Sequence, residues 1–371
     1  MHFHSLIGAY TCRDQTLEDH PFNIRDECIA REKIKENHSL MIKTINKWIP
    51  LIGFIILVVM TTTLLVSATY EAWQFHFGTG IITFLITVGV VYTMIYEGKR
   101  LNKIDPTPEE FLHQFFNFFA VFAGGVSTFY LSTRFGLGAV VASCLVGMLV
   151  AMIFPKYGVP AYCGAFVGMS SDGLFYTMGD VALAGVIAGL AFVLTTKVFN
   201  GFGGKLGTIA FIGTSGAGIT LGRIFLVGQV PDLQTSAWIM LIAFIAAPLT
   251  FYLNCYKKQG PVLASGMVGM LGGLVLPVIF PEIGQMLAVV AVCASYTGMT
   301  SEGRCPAYWE MLIAGLITGN LFIFALPLLG GAGGKLGTIG FASIMAIWGY
   351  IHLFEDLYTK ESRYQPDQDC C

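Results

Sequence analysis

Charge is what this sequence has least of. Lys, Arg, Asp and Glu make up only 12% of 371 residues, with a net charge of −2, against about one quarter in soluble domains. An ordinary soluble globular fold is thereby excluded. No basic stripe interleaved with aromatics is present, so nucleic acid has no footprint and is not an expected partner. The nine cysteines are odd in number and include no CxxC spacing, which argues against a disulfide or zinc framework. No metal site and no cofactor is expected. His2, His4 and Cys12 read as solvent-facing rather than ligating, and Cys370-Cys371 lacks a CaaX context and reads as an ordinary tail. Residues 1–48 lack the apolar core and cleavage site of a signal peptide. With seven Lys/Arg they read as a cytosolic tail, helical near Arg25 to Lys47.

Apolar residues are abundant, at 55% with 44 glycines, a composition suited to helices packed in lipid. Stretches able to cross roughly 30 Å of hydrocarbon run from about Ile49 to Ala68, Thr79 to Tyr96, Leu112 to Leu131, Leu137 to Phe154, Leu174 to Thr196, Leu206 to Val227, Ser236 to Cys255, Val262 to Phe280, Ala307 to Leu329 and Leu336 to Phe354. Thr107-Pro108-Glu109-Glu110 marks a helix start before the third. Two shorter segments, Tyr157 to Ser171 and Ile283 to Ser301, are rich in Gly, Ser, Thr and Cys. If both cross, 11 of the 14 Lys/Arg beyond the tail lie inside and three, Arg134, Arg223 and Lys335, outside; if both re-enter, the split is 8 to 6. The positive-inside rule favours crossing. The expectation is an all-α integral membrane protein of the cell membrane with about twelve crossings, ten long and two short or broken, and both termini cytoplasmic.

Cys163 to Phe211 aligns with Cys293 to Phe341 without a gap, at an offset of 130, with 19 identities in 49 positions. Gly168-Met169-Ser170-Ser171-Asp172-Gly173 answers Gly298-Met299-Thr300-Ser301-Glu302-Gly303, and Gly203-Gly204-Lys205-Leu206-Gly207-Thr208-Ile209 answers Gly333-Gly334-Lys335-Leu336-Gly337-Thr338-Ile339. The glycine-lysine run lacks GxxxxGK[ST] order and any preceding strand, so it reads as close helix packing or a tight turn rather than a phosphate loop. Five elements per unit is an odd number, and the second copy therefore enters from the opposite side. The resulting organisation is a tail (1–48), a two-helix hairpin with its link (49–111), repeat A (112–234), repeat B (235–356) and a cytosolic tail (357–371), with the repeats inverted about an axis in the membrane plane.

The repeat pairs the intramembrane acids: Asp172 with Glu302, and Asp180 with Glu310. An acid in a span costs about 2.5 to 3.5 kcal/mol on insertion scales, which makes it a functional candidate. Asp180 and Glu310, eight residues beyond the first acids, are expected near the midplane around a common axis, as groups that bind H+ or Na+. The alternative is an inert acid satisfied by neighbouring Ser, Thr or backbone. Ser170, Ser171, Asp172 and Cys163, with Thr300, Ser301, Glu302 and Cys293, are expected to surround an unwound stretch that holds a solute or ion; helix capping is the competing role for Asp172 and Glu302. Arg223 with Asp172 and His352 with Glu302 are expected as two gate pairs, against the alternative of a snorkelling arginine and an interfacial histidine.

These features predict a secondary active transporter, coupled to H+ or Na+, moving a small polar or ionic solute by alternating access. A passive channel is the alternative, ahead of an intramembrane enzyme or a structural subunit of a membrane complex. The expected partners are the bilayer and the solute, with association between copies of the chain left open.

Overall fold

The computed structural model describes residues 23–104, 110–305 and 307–364, with the side chains of 23–47, Asn102 and 359–364 not described. His2, His4, Cys12, the Thr107-Pro108 start and Cys370-Cys371 lie outside the described residues or side chains. Met1–Lys47 forms one unit and Trp48–Cys371 a second. In the first, residues 23–47 are helical.

In the second unit every apolar segment forms a helix: α1 (Trp48–Phe75), α2 (Phe77–Arg100), α3 (Phe111–Arg134), α4 (Ala139–Ile153), α5 (Gly158–Val167), α6 (Met178–Thr195), α7 (Lys205–Thr220), α8 (Leu233–Phe251), α9 (Pro261–Ile279), α10 (Gly284–Gly298), α11 (Tyr308–Ala325) and α12 (Lys335–Tyr364). A π turn, Tyr252–Tyr256, extends α8. No strand occurs among the described residues beyond an isolated bridge between Leu226 and Gly330. Local chemistry sets the starts. Asp232 caps α8 by accepting from Gln234 N and Thr235 N at 3.1 and 3.4 Å, and Pro261 opens α9 where a missing N–H costs nothing.

Eight helices among the described residues are long and apolar enough to cross a membrane: α1 to α3, α6, α8 with its π turn, α9, α11 and Lys335–Tyr358 of α12. Large apolar side chains such as Val59, Val66, Phe84, Phe111, Phe119 and Leu274 face outward, a surface that suits lipid. Two segments expected as ordinary spans are shorter. The Leu137 to Phe154 segment is helical only over the 15 residues of α4. The Leu206 to Val227 segment stops at Thr220, because Gly222 adopts the left-handed region at φ +61° and closes the end: Arg223 N donates to Gly218 O at 2.8 Å and Gly222 N to Ile219 O at 3.0 Å. The Leu174 to Thr196 segment starts at Met178, not Leu174. At 1.5 Å per residue, the ten-residue α5 reaches about half of a hydrocarbon core.

The two aligned segments pack against each other reciprocally. Ser171 N donates to Gly331 O and Ser301 N to Gly201 O, both at 2.9 Å. Gly333 N donates to Ser170 Oγ and Gly203 N to Thr300 Oγ1, both at 3.1 Å. At the centre the first turns of α7 and α12 touch backbone to backbone. Gly204 abuts Phe341, Gly207 abuts Gly337, and Gly334 abuts Phe211. As one number rises its partner's falls, so the helices pass in opposite senses with their N-termini overlapped. A methyl added at Gly207 would lie 2.4 Å from Gly337 Cα, and one at Gly337 would lie 2.5 Å from Gly207 Cα.

The hairpin docks on the same helix. Gly89 and Gly349 bring α2 against α12, where Thr93 Oγ1 donates to Met345 O at 2.6 Å and Tyr350 OH to Leu85 O at 2.7 Å. Small residues that let backbones approach are the usual means of helix association in lipid, where apolar burial supplies little drive. Gly207→Val and Gly337→Val should each destabilise the fold by about 3 kcal/mol, and by similar amounts, because bulk there has nowhere to go. Gly303→Ala, in open space, should stay within about 0.5 kcal/mol. Thermal or denaturant unfolding in detergent measures all three.

Candidate functional site

The acids sit at helix starts rather than mid-helix. Thr177 is the N-cap of α6 and Asp180 is three residues on. Asp180 N donates to Thr177 Oγ1 at 3.2 Å, while the Asp180 carboxylate accepts from Tyr176 N at 2.9 Å and from Thr177 Oγ1 at 3.0 Å. This capping box ties the carboxylate to the positive end of the helix dipole. Glu310 stands at the same position of α11, accepting from Ala307 N at 3.4 Å. Ala307 has no side-chain acceptor, so only half of the box is made. The expectation that both acids lie mid-span around a common axis is corrected: each occupies the first turn of its own 18-residue helix, and no hydrogen bond joins them among the described residues.

The gate pairs also re-form. Arg223, set just past the Gly222 stop, reaches the start of the neighbouring α6 instead of Asp172. Its Nη2 lies 2.7 Å from Asp180 Oδ2, and the guanidinium stacks on Tyr176 at 4.3 Å. Asp172 is exposed, within 3.4 Å of Ser171 Oγ. His352 does not meet Glu302; it stacks on Trp348 at 3.7 Å and its Nδ1 lies 3.0 Å from Trp348 O. The offset of 130 explains the asymmetry. His352 occupies the place of Gly222 and Leu353 that of Arg223, so α12 runs on where α7 stops, and Glu310 receives no matching arginine. It is 5% exposed with no ion pair among the described residues, next to the buried Cys305 thiol.

Cys163 and Cys293 are buried and equivalent, each Sγ donating at 3.2 Å to the carbonyl of the second residue of α7 or α12, Leu206 and Leu336. Ser170 and Thr300 each satisfy the glycine loop of the other copy, as given above. Ser171 lines a cavity of ≈ 450 Å³ whose walls include Met169, Tyr296, Phe322, the Gly330–Gly334 loop and Lys335. It is mostly apolar, with one end formed by the start of α12. At the equivalent place in the other copy, Arg304 Nε donates to Asn200 O at 3.0 Å and its guanidinium lies 4.3 Å over Phe202.

Two pairs of functional candidates lie outside the acids. Lys205 and Lys335 open α7 and α12, a poor place for a cation. Both turn their ammonium groups to the C-terminal carbonyls of the preceding long helix: Lys205 Nζ to Thr195 O at 2.7 Å, Lys335 Nζ to Ala325 O, Leu326 O and Leu328 O at 3.3, 3.2 and 2.9 Å. The negative end of one helix thus neutralises a lysine at the positive end of the next. Thr208 and Thr338 are fully buried beside the crossing, and among the described residues neither hydroxyl has a hydrogen-bond partner. A helical threonine normally bonds a carbonyl one turn back; Thr128 on α3 is a further exception, but Thr208 and Thr338 are the two that the repeat pairs, and such a pair calls for a cause. The alignment contained both pairs, but identity alone did not separate them from packing residues.

These features define a helical membrane protein with an internally duplicated centre. No family model, curated protein or solved structure matches the chain. In a double-mutant cycle, Asp180→Asn and Arg223→Gln should show a coupling of about 1 to 3 kcal/mol. Asp172→Asn should change stability by less than about 0.5 kcal/mol. Unfolding of the purified variants reads both.

Proposed function

We propose that the protein is a secondary active transporter that works by alternating access and carries a small solute with a negative or strongly polar group. The observation that carries this reading is the overlap of the α7 and α12 N-termini with the unpartnered hydroxyls of Thr208 and Thr338 beside it. Helix N-termini present free N–H groups and positive partial charge. Two of them meeting, with hydroxyl donors at hand, offer a polar solute a binding place inside an otherwise apolar body. The adjoining cavity would take the solute's apolar part.

The opposite sense of α7 and α12 supports an inverted repeat, as does the charge count. If both helices run across the membrane, a twofold that exchanges them lies in its plane, and exchange of the two copies' conformations would swap inward and outward access. The cell membrane, twelve crossings and cytoplasmic termini belong to this reading. Glu310 is its H+ or Na+ site. A buried carboxylate without a cation is free to take up a coupling ion, whereas Asp180 is occupied by Arg223 and its capping box.

Proteoliposomes loaded to create a pH or Na+ gradient, tested with labelled small carboxylates, sulfate and phosphate, should accumulate one of these against its gradient, with collapse by an ionophore. Glu310→Gln should cut gradient-driven uptake by about tenfold or more with downhill exchange retained. Ionophore-insensitive flux that only equilibrates the solute would identify a passive channel instead, and unchanged coupled uptake in the Glu310→Gln variant would remove Glu310 from the coupling role.

A further inference from the structure

A second cavity, of ≈ 660 Å³, opens at the end of α2 and is lined by Tyr96, Lys99, Arg100, Lys103, Ser301, Gly303, Arg304, Trp348 and His352. Four cations line it, Lys99, Arg100, Lys103 and Arg304, and among the described residues no acid does. A smaller neighbour of ≈ 270 Å³ shares Arg100, Lys103 and Arg304 and adds Lys197 and Glu97. Among the described residues, Glu97 is thus the sole acid on either wall. It binds two of those four cations and leaves the cluster with a surplus of positive charge: its carboxylate receives Arg304 Nη1 and Nη2 at 2.8 and 3.2 Å and Arg100 Nη1 at 3.2 Å.

We infer that the larger cavity is a binding site for a phosphate-bearing anion, either the headgroup of a phospholipid or a free phosphorylated molecule. Snorkelling accounts for isolated Lys and Arg at a span end, where each side chain turns outward to headgroups. It does not account for Arg304. Its side chain is only 14% exposed, and the guanidinium is held from below by Phe202 and Trp348 at 4.3 and 5.3 Å and fixed in plane by two bonds to Glu97. It forms the floor, 201 residues in sequence from the exposed Lys103 at the rim. Lys99 and Lys103 have no ion pair among the described residues.

Convergence of like charges on one concavity raises its potential, costs self-repulsion, and is relieved by a multivalent anion. A phosphate offers several acceptor oxygens, matched here by the ammonium groups of Lys99 and Lys103 and by the Arg100 and Arg304 N–H groups that Glu97 and Asn200 leave unused. The position at the end of the α2 span places a lipid headgroup within reach, and the opening admits a soluble anion equally. The site stands apart from the central solute place and does not depend on the transport reading.

The test uses the full chain in two arms at matched ionic strength. In neutral detergent, inorganic pyrophosphate is titrated calorimetrically; in nanodiscs, phosphatidic acid in phosphatidylcholine is compared with phosphatidylcholine alone by native mass spectrometry. Binding in the first arm assigns a soluble phosphate source, and retention of phosphatidic acid in the second assigns a headgroup; either supports the site. The Lys99→Gln/Lys103→Gln variant, with an unfolding midpoint like the parent's, should weaken that binding by about tenfold or more. Lys257→Gln/Lys258→Gln, which removes the same charge from another helix end, should leave it unchanged. No phosphate binding in either arm, equal binding by the rim variant, or an equal loss in the control variant would overturn the inference.

Discussion

Where α7 and α12 pass, Gly207 and Gly337 let two backbones touch, and the central contacts between the copies follow from that approach. Any side chain there would force the helices apart. Held this close, each helix start brings its preceding glycine loop against the end of a short helix of the other copy, where Ser170 and Thr300 accept the loop N–H groups. The close approach also creates the electrostatic problem that the centre must solve. Two positive helix ends overlap, and each carries a lysine in its first turn. Both ammonium groups are drawn away to the carbonyl ends of α6 and α11, leaving the helix N–H dipoles and two threonine hydroxyls at the middle.

The duplication is close in backbone and in glycine packing, and departs in its charges. One glycine accounts for much of the difference. Gly222 stops α7 and delivers Arg223 to Asp180; its counterpart is His352, so α12 continues as helix and Glu310 stays without a cation. Arg304 has Leu174 as its counterpart and reaches outside the repeat to Glu97 on α2. Each copy therefore carries one arginine–carboxylate pair, in different places: one within repeat A, the other joining repeat B to the hairpin. Pseudo-symmetric packing with asymmetric ion pairs gives two halves that can differ in which contacts hold and which release.

Several features were legible before any fold was known. Among the described residues each apolar segment forms a helix, eight of them long and apolar enough to cross a membrane, because apolar runs in lipid must satisfy their backbone internally. The Gly-Gly-Lys-Leu-Gly-Thr runs read as close packing or a tight turn, and they are both. Breaks after the short segments were visible in their Gly, Ser and Thr content. Helix limits were less so: Leu137 to Phe154 and Leu206 to Val227 had hydropathy enough for a span, yet α7 is ended by backbone geometry at Gly222, which an average over a window does not register.

By itself, the sequence determined the membrane character and the duplication, since these depend on composition, run length and identity at a fixed offset. Only the tertiary structure decided who pairs with whom. Asp180 takes a capping position rather than a mid-span one because α6 begins at Met178, four residues later than hydropathy implies. Arg223 then met Asp180 rather than Asp172, because the turn at Gly222 and the adjacent start of α6 set its reach. Ion pairs and facing hydroxyls are fixed by distances of a few ångströms between segments far apart in the chain, and the overlap at Gly207 and Gly337 sets those distances at the centre of this fold.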